Sequence, residues 1–458
     1  MTSFTSMEFL FRFFPIFLVV YYLVPSKHRT MVLLLGSVIF YAVGEPVFIG
    51  LLLALTVLNY LLGNQIWRLK GGYERKEWQK KGQKKFLILA VGIDLAVLVT
   101  FKTLGVFGNR SLLPLGISFY LFKMISYQAD LYRNEIISKP GWKDTAAYFI
   151  LFPQIAQGPI MRYEEGRIYD SHHYSLENFE DGLKYFILGL SMKVLLADRL
   201  AILWNDLQMI GFQSISTPLA WLGAIGYSLR LYLDFWGYSL MASGIMVMLG
   251  FDFIENFHHP YAARSISEFY RRWHMTLGSW FRDYVYFPMG GSRCSKKKMV
   301  GNLLLVWFLT GLWHGEKLNY LLWGGILGLL IVGEKLLYGK YLDKIPVLGN
   351  IYIIVLIPLT WVLFAIEEPT QLLTYFGRLF PLSGNNGIAV HTLDFVKYAE
   401  SYGVFFILGI LLCIPAVSDF YEKHKNHPVV SILLMLLFWV SIYFVAGSSG
   451  NPFMYLNF

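Results

Sequence analysis

The sequence predicts an all-α polytopic membrane protein, and its composition and hydrophobic pattern carry this prediction. Of the 458 residues, 56% are hydrophobic, 17% are aromatic and only 15% are charged, whereas a soluble protein has about 25% charged residues. Apolar runs that approach the roughly 20 residues of a bilayer-crossing helix recur along the whole chain. No polar stretch is long enough for a soluble domain, so we expect residues 1–458 to form a single membrane domain.

The apolar runs give the predicted spans in order. The first run lacks a cleavage site and is followed by Lys27, His28 and Arg29, so we expect an uncleaved first span. Several runs are too short to cross the bilayer unless they are tilted, re-entrant or interfacial. The predicted spans are 9–24, 31–43, 46–66, 86–101, 111–127, 145–161, 180–197, 218–234, 237–251, 300–315, 318–338, 350–366, 402–420 and 428–446.

The basic residues predict the topology and disfavour nucleic-acid binding. The 67–85 loop is rich in lysine and arginine, which places it on the cytoplasmic side by the positive-inside rule. Counting spans from this loop puts the N-terminus outside and 252–300 inside, and we expect the polar segment 367–401 outside. Most of the net charge of +9 lies in such short loops, so no nucleic-acid partner is expected.

Two histidines in the segment 269–324 are the main candidates for chemistry. His274 lies in FYRRWHMTLGSWFRDY, and His314 lies in LTGLWHGEKLNYLLWG, inside a predicted span. An ionisable residue in the membrane costs several kcal/mol unless it has a partner, so it has either a structural or a functional reason. Trp313 and Trp323 can form an apolar pocket in which the imidazole stays neutral and acts as a general base.

Small residues border His314. Gly311 and Gly315 stand three positions before it and one position after it, so Gly311 shares its helical face. The space that these glycines leave suits either a second helix or a long, thin substrate.

Charged and aromatic residues near the histidines complete the candidate site. Arg271 is predicted to lie one turn from His274 on the same helical face. With Arg272 it would suit phosphate groups or, equally, lipid headgroups. Asp283 pairs with Arg282 or orients a histidine. Trp273 and Asn319 belong to the same two segments and are added to the donor-binding set.

A metal site is not expected. The adjacent pairs His172/His173 and His258/His259 would point about 100° apart on a helix and are poor co-ligands. No HExxH motif accompanies them, and Cys294 and Cys413 are far apart without a CxxC pattern.

Several segments resemble the membrane-bound O-acyltransferase family in its bacterial alginate O-acetyltransferase-like branch, over nearly the full length. Besides the two histidine segments they are NYLLG at 59–63, PLGISFYLFKMISYQADLYRNE at 114–135, LFPQIAQGPIMRY at 151–163, KVLLADRLA at 193–201, LYLDFWGYSLMASG at 231–244, ENFHHPY at 255–261 and NPFMYLNF at 451–458. The resemblance implies that His314 is the family's catalytic histidine. It implies that His274 replaces the asparagine of many eukaryotic members.

The resemblance also implies a fold and a reaction. The implied fold is a ring of tilted helices around a thinned centre, with a channel to His314. The implied reaction moves a short acyl group, most simply acetyl, from a cytoplasmic thioester to an extracytoplasmic polysaccharide. His314 would remove the proton of the attacking hydroxyl, and His274 would stabilise the oxyanion or position the thioester. A covalent acyl intermediate on His314 is an equal alternative to direct attack by the acceptor.

The resemblance extends to donor, partners and location. The donor would be acetyl-CoA or an acylated phosphopantetheine carrier, with no tightly bound cofactor. An SGNH-type acyltransferase would complete the transfer outside a bacterial cytoplasmic membrane.

Two departures keep a D-alanyl alternative open. Leu240 and Glu316 look more like the D-alanyl exporter branch of teichoic acid modification, which takes its cargo from a carrier protein. A polysaccharide or lipid transporter is the alternative from another class, although the inverted repeats that it predicts are not visible.

Overall fold

The computed structural model describes residues 3–70, 76–107, 112–166, 175–381, 390–391 and 393–447. In these ranges the regular secondary structure is helical, and the one extended pairing is an isolated bridge between Phe257 and Trp273. The α-helices are α1 (Phe14–Leu23), α2 (Ser26–Gly44), α3 (Ile49–Arg68), α4 (Glu77–Phe107), α5 (Ile117–Arg133), α6 (Trp142–Ile150), α7 (Phe152–Ile155), α8 (Leu176–Ser191), α9 (Asp198–Ile210), α10 (Thr217–Met248), α11 (Ile266–Arg272), α12 (Met275–Phe281), α13 (Lys296–His314), α14 (Leu318–Gly333), α15 (Gly339–Lys344), α16 (Pro346–Ala365), α17 (Pro369–Leu379), α18 (Asp394–Leu412), α19 (Pro415–His424) and α20 (Pro428–Gly447).

Among the described residues, six helices are long and apolar enough to cross a membrane. Each of them overlaps a span predicted from the sequence, and many of their large apolar side chains are exposed, as lipid-facing residues are. The prediction of an all-α polytopic membrane protein is therefore confirmed. The six are Ile49–Arg68, Glu77–Gly105, Leu318–Lys344, Pro346–Ala365, Asp394–Leu412 and Pro428–Gly447.

The predicted spans 218–234 and 237–251 are wrong as separate helices, because α10 continues without a break from Thr217 to Met248. Gly237, the first residue of the second predicted span, permits close packing instead of a break. A Cβ atom there would lie 2.7 Å from the carbonyl oxygen of Gly189. The span count that placed 252–300 inside therefore no longer stands as it was made, and the placement depends on the basic residues of the segment.

The predicted span 145–161 is also wrong. The short helix α6 ends at Ile150, α7 covers only Phe152–Ile155, and the chain from Ala156 to Met161 is irregular and buried. Pro153 explains the break, since proline fits the first turn of a new helix but not the interior of a continuing one. This stretch reads as apolar because it is buried in protein, not because it crosses the membrane.

The chain divides into two compact units, each assembled from distant stretches. The first comprises Met1–Phe186, Ser239–Ile254 and Val445–Leu456, and the second comprises Ile187–Tyr238, Glu255–Phe444 and Asn457–Phe458. In the first unit, α3, α4 and α5 share a buried polar network. The Asn59 amide donates to Asp94 Oδ1 at 2.9 Å, and the Gln128 amide donates to Asn59 Oδ1 at 2.9 Å.

In the second unit, α13 and α14 touch backbone to backbone through two glycines. A Cβ on Gly311 would lie 2.5 Å from the carbonyl oxygen of Tyr320, and one on Gly324 would lie 2.4 Å from that of Trp307. Small residues allow such an approach between helices. The space beside Gly311 is therefore filled by a helix, which decides between the two occupants that the sequence left open.

Glu334, just beyond α14, holds the start of α11. Its carboxylate accepts hydrogen bonds from the backbone N–H groups of Ile266 and Ser267, at 2.5 and 2.9 Å, and from the Ser267 hydroxyl at 2.6 Å. Negative charge at a helix N-terminus is stabilising because the first N–H groups lack intrahelical partners. The chain that leads to His274 is thus fastened to the helix that packs on α13.

A buried ion cluster stabilises the α10 segment of the same unit. Lys193 Nζ lies 2.6 Å from Asp234 Oδ1 and 2.8 Å from Asp198 Oδ1, and the lysine and Asp234 are almost fully buried. Removing one member of such a group leaves an uncompensated charge in a medium of low polarity. Asp234 precedes Phe235, a residue that contacts His274, so the cluster fixes that part of the helix.

We predict that Gly324→Ala destabilises the protein and that Gly325→Ala does not. The methyl group that Gly324→Ala adds would push α14 away from α13, at a cost of about 1–3 kcal/mol. No atom beyond the helix itself lies within 4 Å of the Cβ position of Gly325, and alanine is the better helix former. Thermal unfolding of the two variants in detergent checks this, and equal melting temperatures would contradict the backbone contact.

Candidate active site

His314 is the last residue of α13 and is buried among aromatic rings. Its ring centroid lies 4.6 Å from that of Trp313, 5.2 Å from Trp323 and 5.1 Å from Phe364, in edge-on arrangements. The helix ends here because Gly315 turns the chain into an extended conformation. A Cβ on Gly315 would meet the Tyr320 ring at 2.5 Å, so only glycine fits this exit.

His274 lies in the connection between α11 and α12 and is also buried. Its backbone adopts the left-handed conformation, with φ 45° and ψ 53°, which costs about 1–3 kcal/mol in a residue other than glycine. Its ring lies 4.6 Å from that of Phe235 and 6.3 Å from that of Trp313. A strained, buried histidine is a candidate for function because the surrounding structure has to hold it in place.

The segment 256–258 holds this conformation. Phe257 and Trp273 form the isolated bridge, the N–H of His258 donates to the carbonyl of Arg272, and the N–H of Met275 donates to that of Asn256. The Asn256 side-chain oxygen lies 3.2 Å from His274 Nδ1. The same oxygen accepts from the backbone N–H and the hydroxyl of Thr276, at 3.2 and 2.9 Å.

Trp313 brings the two histidines into one aromatic site. Its indole contacts the imidazole of His314 on one side and lies within 6.3 Å of the imidazole of His274 on the other. Aromatic walls exclude water and strengthen the electrostatic interactions of the groups that they surround. The structure thus joins the residues that the sequence places forty positions apart.

Burial sets the protonation state of His274, which lies outside the candidate spans. Desolvation lowers the pKa of its imidazole from 6.5 to about 3, so that the ring is neutral at physiological pH. Its Nε2 has no hydrogen-bond partner among the residues that the structure describes.

The two arginines of the predicted phosphate-binding pair, Arg271 and Arg272, have different surroundings in the structure. The helix α11 ends at Arg272, so Arg271 is not one turn from His274 on a common helical face, as a continuous helix would have it. The guanidinium of Arg272 pairs with Glu268 at 2.6 Å, while Arg271 is exposed. The extended conformation of Trp273, fixed by its bridge to Phe257, is the reason for the difference.

The contacts of the other candidates are as follows. Asp283 accepts two hydrogen bonds from Arg282, one of the two partners that the sequence left open. Asn319 is buried and donates to the carbonyl of Phe364 at 2.8 Å. Trp273 packs between Phe269, Tyr232 and Trp361 as a wall of the aromatic cluster.

The sequence interpretation missed Asn256, Phe235 and the α16 residues Trp361 and Phe364 as parts of the site. Asn256 lay in the quoted ENFHHPY motif, but it follows Glu255 and precedes Phe257, and nothing in that pattern shows that it contacts His274. The α16 residues carry no signal either, because aromatic residues are common in membrane helices.

Within the described ranges, no three histidine, cysteine or acidic side chains come together as metal ligands. His258 Nδ1 lies 2.7 Å from Glu255, and Cys294 and Cys413 are free thiols. His172 and His173 lie outside the described residues.

Comparison with known proteins gives a family and several relatives for the chain. The model of the membrane-bound O-acyltransferase family matches residues 31–348, which include both histidines. The chain is 34% identical to the probable alginate O-acetylase AlgI of Pseudomonas putida KT2440, over 99% of this chain and 100% of that protein. It is 26% identical to the peptidoglycan O-acetyltransferase of Helicobacter pylori 26695, over 99% and 97% of the two chains.

A shorter match reaches the teichoic acid D-alanyltransferase of Bacillus subtilis 168, with 31% identity over 46% of this chain and 56% of that protein.

We predict that His274→Asn makes the stability of the protein less sensitive to acid. The unfolded chain binds a proton at this histidine below its ordinary pKa of 6.5, and the folded protein does not until about pH 3. The wild type should therefore lose about 2 kcal/mol between pH 7 and pH 5 through this group. Asparagine tolerates the left-handed backbone, which keeps the variant foldable.

Melting temperatures of wild type and variant across this pH range measure the effect. His28→Asn, at an exposed position, serves as the control. Parallel curves for wild type and His274→Asn would show that the site does not exclude the proton.

Proposed function

The chain belongs to the membrane-bound O-acyltransferase family, and we propose that within this family it moves an acetyl group from a cytoplasmic thioester across the membrane for O-acylation of an extracytoplasmic polysaccharide. It is a multi-pass membrane O-acyltransferase, as the family match and the apolar helices establish. The observation that carries the acetyl proposal is the full-length match to alginate O-acetylases, together with that to a peptidoglycan O-acetyltransferase.

In the proposed reaction His314 is the general base. The acceptor hydroxyl attacks the carbonyl carbon of the thioester, and His314 takes the hydroxyl proton as the new C–O bond forms. The C–S bond then breaks, and the thiolate leaves with that proton as a thiol. A buried imidazole beside three aromatic rings suits this role, since a positioned base contributes about 10²–10⁴-fold to the rate.

His274 contacts the substrate from the other side of Trp313 in this proposal. Its strained backbone and its buried ring indicate a group held for binding and not for flexibility. The sequence left two roles for it, stabilising the oxyanion or positioning the thioester.

The proposed donor is acetyl-CoA or an acylated phosphopantetheine carrier. Arg272 is occupied by Glu268, so Arg271 is the member of the pair that remains exposed for a phosphate group.

The proposed setting is a bacterial cytoplasmic membrane, with the helices forming a ring around a thinned centre and a channel to His314. An SGNH-type acyltransferase outside the membrane would pass the acetyl group to the polymer.

D-alanyl transfer to teichoic acid is the second candidate. The partial match to a teichoic acid D-alanyltransferase favours it, and Leu240 and Glu316 are the residues that resemble that branch. We prefer acetyl because the matches to O-acetylases cover the chain from end to end. The transporter alternative is set aside, since the chain is an O-acyltransferase.

We predict that His314→Ala lowers acylation of the surface polymer by at least about 10²-fold, the contribution of a positioned base, and that His274→Ala lowers it too. His258→Ala is the matched control, because that histidine is exposed and paired with Glu255. Acyl groups released from the polymer by mild base are identified by mass spectrometry, which also separates acetyl from D-alanyl.

Unchanged acylation in His314→Ala, with the protein stably inserted, would contradict the catalytic role. Release of D-alanine instead of acetate would replace the acetyl proposal with the second candidate.

We also predict that Arg271→Gln raises the KM for acetyl-CoA about twofold to fivefold, the range of an exposed ion pair. The KM for acetyl-pantetheine, which lacks the phosphates, should not change. An equal effect on both thioesters would show that Arg271 does not contact a phosphate.

A further inference from the structure

We propose that Asn256 is a positioning residue that keeps the proton of His274 on Nδ1, so that the Nε2 lone pair accepts a hydrogen bond from an N–H or O–H group of the substrate. This inference rests on the proposed acyl transfer and assigns a role within it.

The contacts of the Asn256 side chain determine where the proton lies. The backbone N–H of Thr276 points at this side chain from 3.2 Å, and an N–H can only donate. The Asn256 atom that receives it is therefore the carbonyl oxygen and not the amide nitrogen. An oxygen with no proton faces His274 Nδ1 at 3.2 Å, so Nδ1 carries the hydrogen of that bond.

A neutral imidazole has one N–H, and Nδ1 holds it here. Nε2 consequently presents a lone pair. This atom is buried and has no hydrogen-bond partner in the described part of the chain. A buried acceptor without a partner is unfavourable, so a group that supplies a donor should bind there.

The backbone keeps the two side chains in register. Phe257 follows Asn256 directly in the chain, and Trp273 directly precedes His274. The bridge between Phe257 and Trp273 therefore brings Asn256 and His274 together. The N–H of Met275 returns to the Asn256 carbonyl at 2.9 Å. The left-handed backbone of His274 then sets the direction of the ring.

This arrangement chooses between the two roles left open for His274. A lone pair repels the developing oxyanion of the tetrahedral intermediate, so His274 cannot stabilise it. The donors that acyl transfer supplies are the amide N–H groups of a pantetheine arm and the hydroxyl of the acceptor. Because burial lowers the pKa of His274 to about 3, the ring orients such a donor and does not take its proton.

The direct test is ¹⁵N NMR of histidine-labelled protein in proteoliposomes, with the His274 signals assigned by their loss in His274→Asn. We expect Nε2 of the wild type to give the shift of an unprotonated nitrogen and Nδ1 that of a protonated one. A protonated Nε2 in the wild type would overturn the proposal, whatever the variants do. This measurement does not depend on activity, so it separates this proposal from the proposed function.

Variants test the role of Asn256. Asn256→Leu removes the acceptor, and we expect a mixture of both tautomers and a fall in kcat/KM of about tenfold to hundredfold, as for other groups that orient a histidine. Thr276→Val is the matched control, since it removes the hydroxyl bond to Asn256 and leaves the backbone bond. We expect the wild-type tautomer and near wild-type kinetics in this control.

The kinetic parameters identify the donor group. A raised KM for the acetyl thioester in Asn256→Leu indicates the pantetheine amide, and a raised KM for the acceptor indicates the hydroxyl. A changed tautomer with unchanged kinetics would overturn the proposal. So would unchanged tautomers in Asn256→Leu.

Discussion

The site depends on the close backbone contact between α13 and α14 at Gly311 and Gly324. This contact presses Trp323 of α14 against the imidazole at the end of α13, and it leaves no space there for a substrate. The same helix leads into Glu334, whose carboxylate fastens the start of α11. One packing interaction therefore positions His314 directly and the His274 segment through a second set of bonds.

The histidines are surrounded by aromatic rings and not by charged side chains. Trp313 separates the two imidazoles, while α16 and α10 supply Phe364 and Phe235. The ions of the same unit are kept apart from this cluster in pairs of their own, such as Lys193 with Asp234. An isolated charge would be costly in such surroundings, and the neutral imidazole of His274 suits hydrogen bonding there.

The sequence predicts the membrane class, the helical content and both histidines, because these follow from composition and from costly residues in apolar company. Contacts between segments that are far apart in the sequence cannot be predicted from composition or hydrophobic pattern. Trp273 leaves the helix because it pairs with Phe257, and Gly237 continues a helix because it packs on Gly189. Asn256 becomes a partner of His274 only when the two segments meet in the folded protein. The sequence therefore shows the motif that contains Asn256 but not the contact that this residue makes.

The central claim is that the two histidines act on one substrate in one site. A double-mutant cycle of kcat/KM with His314→Ala, His274→Ala and the double variant tests it most directly, with an acetyl thioester and the acceptor supplied to reconstituted protein. Residues that act as a unit give strongly non-additive losses. The account predicts that kcat/KM of the double variant is at most about threefold lower than that of the less active single variant. Losses that multiply would show two independent contributions and would contradict a shared site.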